Sequence, residues 1–184
     1  MTNQVRSLST SADAAGDSND SRKMDPKCIF CKILSDKLPS SQVYQDDICC
    51  VIMDIHPIQR GHVLIIPRQH YLNIMDMPED VALHMTRLAS KLTVGLTQED
   101  SQSQFRCDGA NLLWNNGRAA WQTVLHAHLH VIPRRHGDSF GFLFGLVRHM
   151  FSLLGVLPSA NRQELDTIAT IFHNVLSKQM KKNS

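Results

Sequence analysis

Apolar positions along this chain recur with two periods, and the switches between them mark its elements. Gln42–Gln45 and Ile48–Met53 flank Asp46-Asp47, which predicts a hairpin. Asp54 to Gly61 reads as a loop, punctuated by Pro57 and Gly61, and His62–Pro67 reads as a strand. From Asp76 to about Thr97 the residues Val81, Met85, Leu88 and Leu92 keep helical spacing behind Pro78-Glu79-Asp80. Residues 98–106 are polar and loop-like. Ala110–Asn115 is a predicted strand, Asn116–Trp121 a turn and Val124–Ile132 a further strand. Asp25-Pro26 reads as an N-cap with proline at the first helical position, opening a short helix to about Ser35. From Ser159 a final helix is predicted, with Leu165, Ile168, Phe172, Val175 and Leu176 on one stripe. Strands clustered around one long helix predict an α+β fold with an antiparallel sheet.

Two segments stand apart from this pattern. Residues 1–23 are rich in Ser, Asp, Asn and Thr with few large apolar residues, so 1–24 is expected to be a disordered extension. The run Phe142 to Leu157 is strongly apolar but interrupted by Arg148 and His149. It is shorter than the roughly 20 residues that cross a bilayer. It is expected to be a buried hairpin or a helix of the core or dimer surface. The expected organisation is therefore 1–24, a domain over 25–140, and a C-terminal extension over 141–184.

Composition narrows the function little. A chain of 184 residues with 42% hydrophobic content has room for one core. Its net charge of +2 predicts no nucleic-acid groove. A hydrophobic signal core is lacking, so a cytoplasmic location is expected; a mitochondrial one is the alternative, against which Asp13, Asp17 and Asp20 argue. Five cysteines then imply a reducing compartment. Cys49-Cys50 read as small core residues, and Cys107 has no partner in sequence. Cys28 and Cys31 have the C-x-x-C spacing that lets two thiolates reach one tetrahedral ion.

The densest chemistry lies in the run from Gln122 to Arg134, where His126, His128 and His130 occupy alternate positions. In extended backbone they share one face, and Ala127, Leu129 and Val131 fill the other. His126 and His130 then lie about 13 Å apart, too far for all three to bind one zinc at about 2.0–2.1 Å. Such a row suits a phosphate chain, or nucleophilic catalysis in which one imidazole attacks and its neighbours orient it. No Walker A loop, G-x-G-x-x-G or G-x-S-x-G competes as a phosphate or acyl-transfer device.

The block His126-Ala-His128-Leu-His130-Val-Ile resembles the signature of the histidine triad superfamily. Asn115 to Val124, Met53 to Pro57, Gly61 to His70 and Cys28 to Ile33 resemble further family segments, in order. The resemblance implies a five-stranded sheet per subunit and a homodimer. It implies that His128 attacks the α-phosphate of a nucleoside 5′-phosphoryl compound, forming a nucleotidyl-histidine that water releases as the monophosphate. His130 is expected to contact phosphate or assist proton transfer, and His126 to orient its neighbours or bind zinc. Ile29, Phe30 and Ile33 are expected to pack a purine base, with Asp54 beside Ile55 at the ribose. Asn115, Gln122, Thr123 and Val124 are expected around the phosphates. His62 is read as structural. The resemblance also supplies His70 and His126 to complete a structural zinc site with Cys28 and Cys31; catalysis itself needs no cofactor. The expected activity is hydrolysis of nucleoside 5′-phosphoramidates. The alternatives are a dinucleoside polyphosphate hydrolase and a nucleotide-binding interaction protein with vestigial activity. The chain departs from the family at Trp121, where the pattern has glycine in Ala-Gly-Gln.

Overall fold

A computed structural model describes residues 24–98 and 105–182. The extension expected over 1–24 falls outside these except at Met24, as does most of the loop expected over 98–106. Its elements in chain order are α1 (Ile29–Leu34), β1 (Gln42–Gln45), β2 (Cys49–Met53), β3 (Val63–Pro67), α2 (Glu79–Thr97), β4 (Gly109–Trp114), β5 (Leu129–Arg134), α3 (Ser139–Leu153) and α4 (Arg162–Lys181). The strands form one antiparallel five-stranded sheet in the order β1-β2-β3-β5-β4.

The sheet is buried on both faces at its centre, and residue parity assigns each face. Val51, Met53, Val63, Ile65, Leu129 and Val131 face the main core with Leu88 and Leu92 of α2 and Phe172 and Leu176 of α4. Cys50, Ile52, Leu64 and Ile66 face a smaller cluster with Phe30 and Cys31 of α1. The register aligns Ile52 with Leu64 and Leu64 with His130. Two residues on from Ile52 lies Asp54, and two before Leu64 lies His62, so backbone alternation carries both to the α1 side.

Several expectations need correction. α1 begins at Ile29 with Cys28 as N-cap; Asp25 instead forms a turn, its Oδ1 accepting the Lys27 N–H at 2.8 Å. α2 starts at Glu79, since Ile74–Asp76 closes a separate 3-10 turn capped by Asn73. The triad strand begins at Leu129 rather than Val124, because Ala127 N–H donates to the Tyr71 carbonyl instead of to β4. There is more than one long helix: α3 spans 15 residues and α4 spans 20. α4 is an integral wall of the main core. The run Phe142 to Leu157 is mostly helical, but its Leu143, Phe144, Val147, Met150 and Phe151 are exposed, so this stripe is not core of this subunit.

Candidate active site and metal-ligand cluster

The three triad histidines are all buried on the α1 side of the sheet, with Phe30 edge-on to His126 and His128. Their hydrogen bonds assign a different task to each ring. His128 Nδ1 lies 2.7 Å from the His126 carbonyl, which accepts only, so Nδ1 carries the proton and Nε2 keeps its lone pair. His126 Nε2 lies 3.0 Å from the Pro67 carbonyl, so its lone pair is on Nδ1. That Nδ1 faces Cys28 Sγ at 3.4 Å and Cys31 Sγ at 3.6 Å.

His130 is set through His62. Ile58 N–H donates to His62 Nδ1 at 3.2 Å, which leaves the His62 proton on Nε2. His62 Nε2 then donates to His130 Nδ1 at 2.9 Å. The His130 proton is thereby on Nε2, a buried nitrogen with no hydrogen-bond partner among the described residues. A buried donor left unpaired is costly, and an anion beside it removes that cost. Burial is the main cause that lowers the pKa of all four: to about 3 for His62, to about 4 for His126, and downward for His128 and His130. At neutral pH the site therefore holds neutral imidazoles.

His128 and His130 open on a cavity of about 460 Å³. Ile29, Phe30, Ile33, Ile52 and Leu64 form an apolar part of its wall; Asp54, Ile55, Thr123 and Val124 continue it. Asp54 Oδ1 accepts the His56 N–H at 2.8 Å, so this residue is also the turn cap that its position suggests. A carboxylate has about four acceptor sites, so it retains capacity for further donors.

Asn115 and Gln122 are not on this wall. The Gln122 amide is consumed locally: Oε1 accepts Gly117 N–H at 2.7 Å, and Nε2 donates to the Leu72 and Val124 carbonyls at 2.6 and 3.1 Å. Its visible task is to hold the loop that carries Thr123. Trp121, just before it, is exposed and sits at φ 65° and ψ 28°, the left-handed region that favours glycine.

Sequence reasoning missed part of this wall. His56, His149, Ser152 and Arg162 line the cavity too, the last three from the C-terminal segment. It also undervalued His62, whose hydrogen bond sets the His130 tautomer. The parity of His62 with Leu64 was the available signal.

Cys28, Cys31, His70 and His126 each offer one ligand atom, and these atoms lie within 4.8 Å of one another. His70 Nδ1 is 3.3 Å from Cys31 Sγ. A tetrahedral zinc with bonds of about 2.0–2.3 Å separates its ligand atoms by roughly 3.3–3.8 Å, so the set fits one ion. Two further bonds orient it: Pro67 fixes the His126 ring, and Asp25 N–H donates to Cys31 Sγ at 3.4 Å.

The chain belongs to the HIT family, whose domain model matches residues 35–137. It is 33% identical over 150 residues to the adenylylsulfatase HINT3 of Arabidopsis thaliana, covering 81% of this chain and 74% of that protein. It is 34% identical over 139 residues to the adenosine 5′-monophosphoramidase HNT1 of Candida albicans, covering 75% and 91%. Among solved structures, a zinc-bound histidine triad family protein from Mycobacterium smegmatis superposes with a TM-score of 0.66 at 29% identity, over 86% of this chain and 98% of that one.

Proposed function

We propose that this protein is a nucleotide hydrolase that cleaves nucleoside 5′-phosphoramidates through a covalent nucleotidyl-histidine on His128. The observation that carries the reading is the His128 tautomer: a fixed Nδ1–H and a free Nε2 lone pair on the wall of a cavity otherwise suited to a nucleoside. The base lies against Ile29, Phe30 and Ile33, and the ribose hydroxyls donate to Asp54. His128 Nε2 attacks phosphorus; His130 Nε2–H and the Thr123 hydroxyl donate to the phosphoryl oxygens as charge develops there. Water then attacks the phosphoryl-imidazole bond and releases the nucleoside monophosphate.

One zinc held by Cys28, Cys31, His70 and His126 would tie α1 to the segment that carries the triad; its contribution is structural, and no chemical step passes through it. A homodimer is part of the same reading, supported by the exposed Leu112 and Leu113 on the edge strand β4. No helix of the described residues is long and apolar enough to cross a membrane.

The similarity to an adenylylsulfatase favours a second substrate for the same nucleophile, adenylylsulfate, with sulfate as leaving group. The test is a steady-state comparison of an adenosine phosphoramidate, adenylylsulfate and a diadenosine polyphosphate. The phosphoramidate reading predicts the largest kcat/KM for the first. A dominant polyphosphate activity contradicts it.

A further inference from the structure

The C-terminal segment brings a fourth imidazole to this cavity, from outside the stretch that matches the family domain. Gly141, Gly145 and His149 lie at i, i+4 and i+8 of α3, on one helical face. Gly145 lets that face approach closely: a Cβ there would lie 1.9 Å from the Ile58 carbonyl oxygen, whereas one on Gly141 would make an ordinary contact, 3.6 Å from Gln59 Nε2. The start of the helix is anchored as well. The Arg134 guanidinium bonds Asp138 at 2.6 Å and covers the Phe142 ring at 3.9 Å. One turn beyond Gly145, His149 Nδ1 donates to the His56 carbonyl, and its ring centre is 6.0 Å from that of His62.

This seat leaves one nitrogen for chemistry. With Nδ1–H on a carbonyl, His149 Nε2 is the atom that gains or loses a proton, and Nδ1–H stays bonded in either state. Three other imidazoles around His128 are committed; His56 also lines the cavity, and its buried Nδ1 has no partner among the described residues. His126 faces the cysteines and Pro67; His62 bridges Ile58 and His130; His130 offers a neutral N–H, which donates a hydrogen bond but not a whole proton near neutral pH. The Thr123 hydroxyl gives up a proton only when another group supplies one in turn. His149 is half-buried where the triad is buried. The ionisable groups around this side of the cavity are Asp54, His56, His62, His128, His130 and Arg162.

We propose that His149 is a catalytic residue that protonates the leaving group and then takes a proton from the hydrolytic water. The inference rests on His128 as nucleophile. In the first step the His128 Nε2–P bond forms, the P–N bond breaks, and the departing amine takes the His149 Nε2 proton. In the second, a water oxygen bonds phosphorus, the P–Nε2 bond breaks, and the water proton returns to His149. The net change is hydrolysis to amine and nucleoside monophosphate.

Leaving groups separate this role from a structural one. An amine leaves poorly without a proton; sulfate leaves as a stable anion. His149→Asn keeps a donor for the His56 carbonyl and removes the titrating nitrogen. The experiment is single-turnover kinetics of wild type and His149→Asn on an alkylamine phosphoramidate of AMP and on adenylylsulfate. General acid catalysis is typically worth 10²–10⁴-fold, so amine release in the first step should slow at least about 100-fold while sulfate release changes by less than about threefold, and hydrolysis of the shared adenylyl-histidine should slow alike for both substrates. Equal losses in the release of the two leaving groups, or no loss in either, overturn the proposal. If wild type turns over neither substrate, the hydrolase reading itself fails and takes this inference with it.

Discussion

The carbonyl of His126 accepts the Nδ1 proton of His128 at 2.7 Å, while the His126 ring turns its own Nδ1 towards Cys28 and Cys31. One residue thus serves two sites with two different groups: its backbone carbonyl fixes the His128 tautomer, and its side chain joins the Cys/His cluster. The two roles expected of His126 therefore do not compete.

That division predicts an unequal pair of variants. His126→Ala keeps the carbonyl and loses the ring. Zinc content should fall from about one per chain to near zero, the Tm should drop, and kcat should fall by about 10- to 100-fold, as for removal of an orienting neighbour. Cys28→Ser should lose zinc in the same way. Elemental analysis and steady-state kinetics on the same samples check this; zinc-free wild-type protein contradicts the metal assignment.

The buried histidines predict a pH dependence of stability with a definite sign. Burial lowers the His62 pKa to about 3, against an ordinary value of 6.5. Below pH 6.5 the unfolded chain binds a proton that the folded site refuses. The contribution is fully present above pH 6.5 and is lost as pH falls towards 3, by about 1.4 kcal/mol per pH unit for each such histidine once the unfolded form is fully charged. Urea unfolding between pH 7.5 and 4.5 measures it, and His62→Gln should flatten the slope by about one proton. An unchanged slope in that variant contradicts the assignment.

Trp121 predicts a gain rather than a loss. Its left-handed backbone costs an L-residue roughly 1–2 kcal/mol, and its indole is 61% exposed, so little packing is given up on removal. Glycine adds unfolded-state entropy worth about 0.4–1 kcal/mol. Trp121→Gly should therefore raise stability by up to about 1 kcal/mol, seen as a higher urea midpoint at unchanged m. A lower midpoint would show that the indole holds a contact of its own.

What was legible in the sequence follows from periodicity. Alternation placed Ala127, Leu129 and Val131 in the core and the triad on the other side, although the hydrogen-bonded strand starts only at Leu129. C-x-x-C spacing, with His70 and His126 from family resemblance, located the Cys/His cluster. α4 was legible from its single stripe. The apolar run in α3 was legible only as a hairpin or a helix of the core or dimer surface; the structure removes the core reading, since Phe144 and Val147 face outward in this subunit. The informative residue was a small one: Gly145 marks the face that packs on Ile58, one turn before His149 on the cavity wall. The local hydrogen bonds of Gln122 were not legible, because its amide partners Leu72 and Gly117 come from loops whose approach no local pattern reveals.

The central claim is that His128 Nε2 forms a bond to phosphorus. Rapid-quench intact-mass analysis during turnover of an adenosine phosphoramidate tests it most directly, with peptide mapping of any adduct. Wild type should accumulate one adenylyl group on the peptide that contains His128. His128→Ala should show no adduct and no turnover, while its AMP affinity stays within about tenfold, roughly 1.4 kcal/mol. Turnover retained by His128→Ala, or an adduct mapped to another residue, contradicts the account.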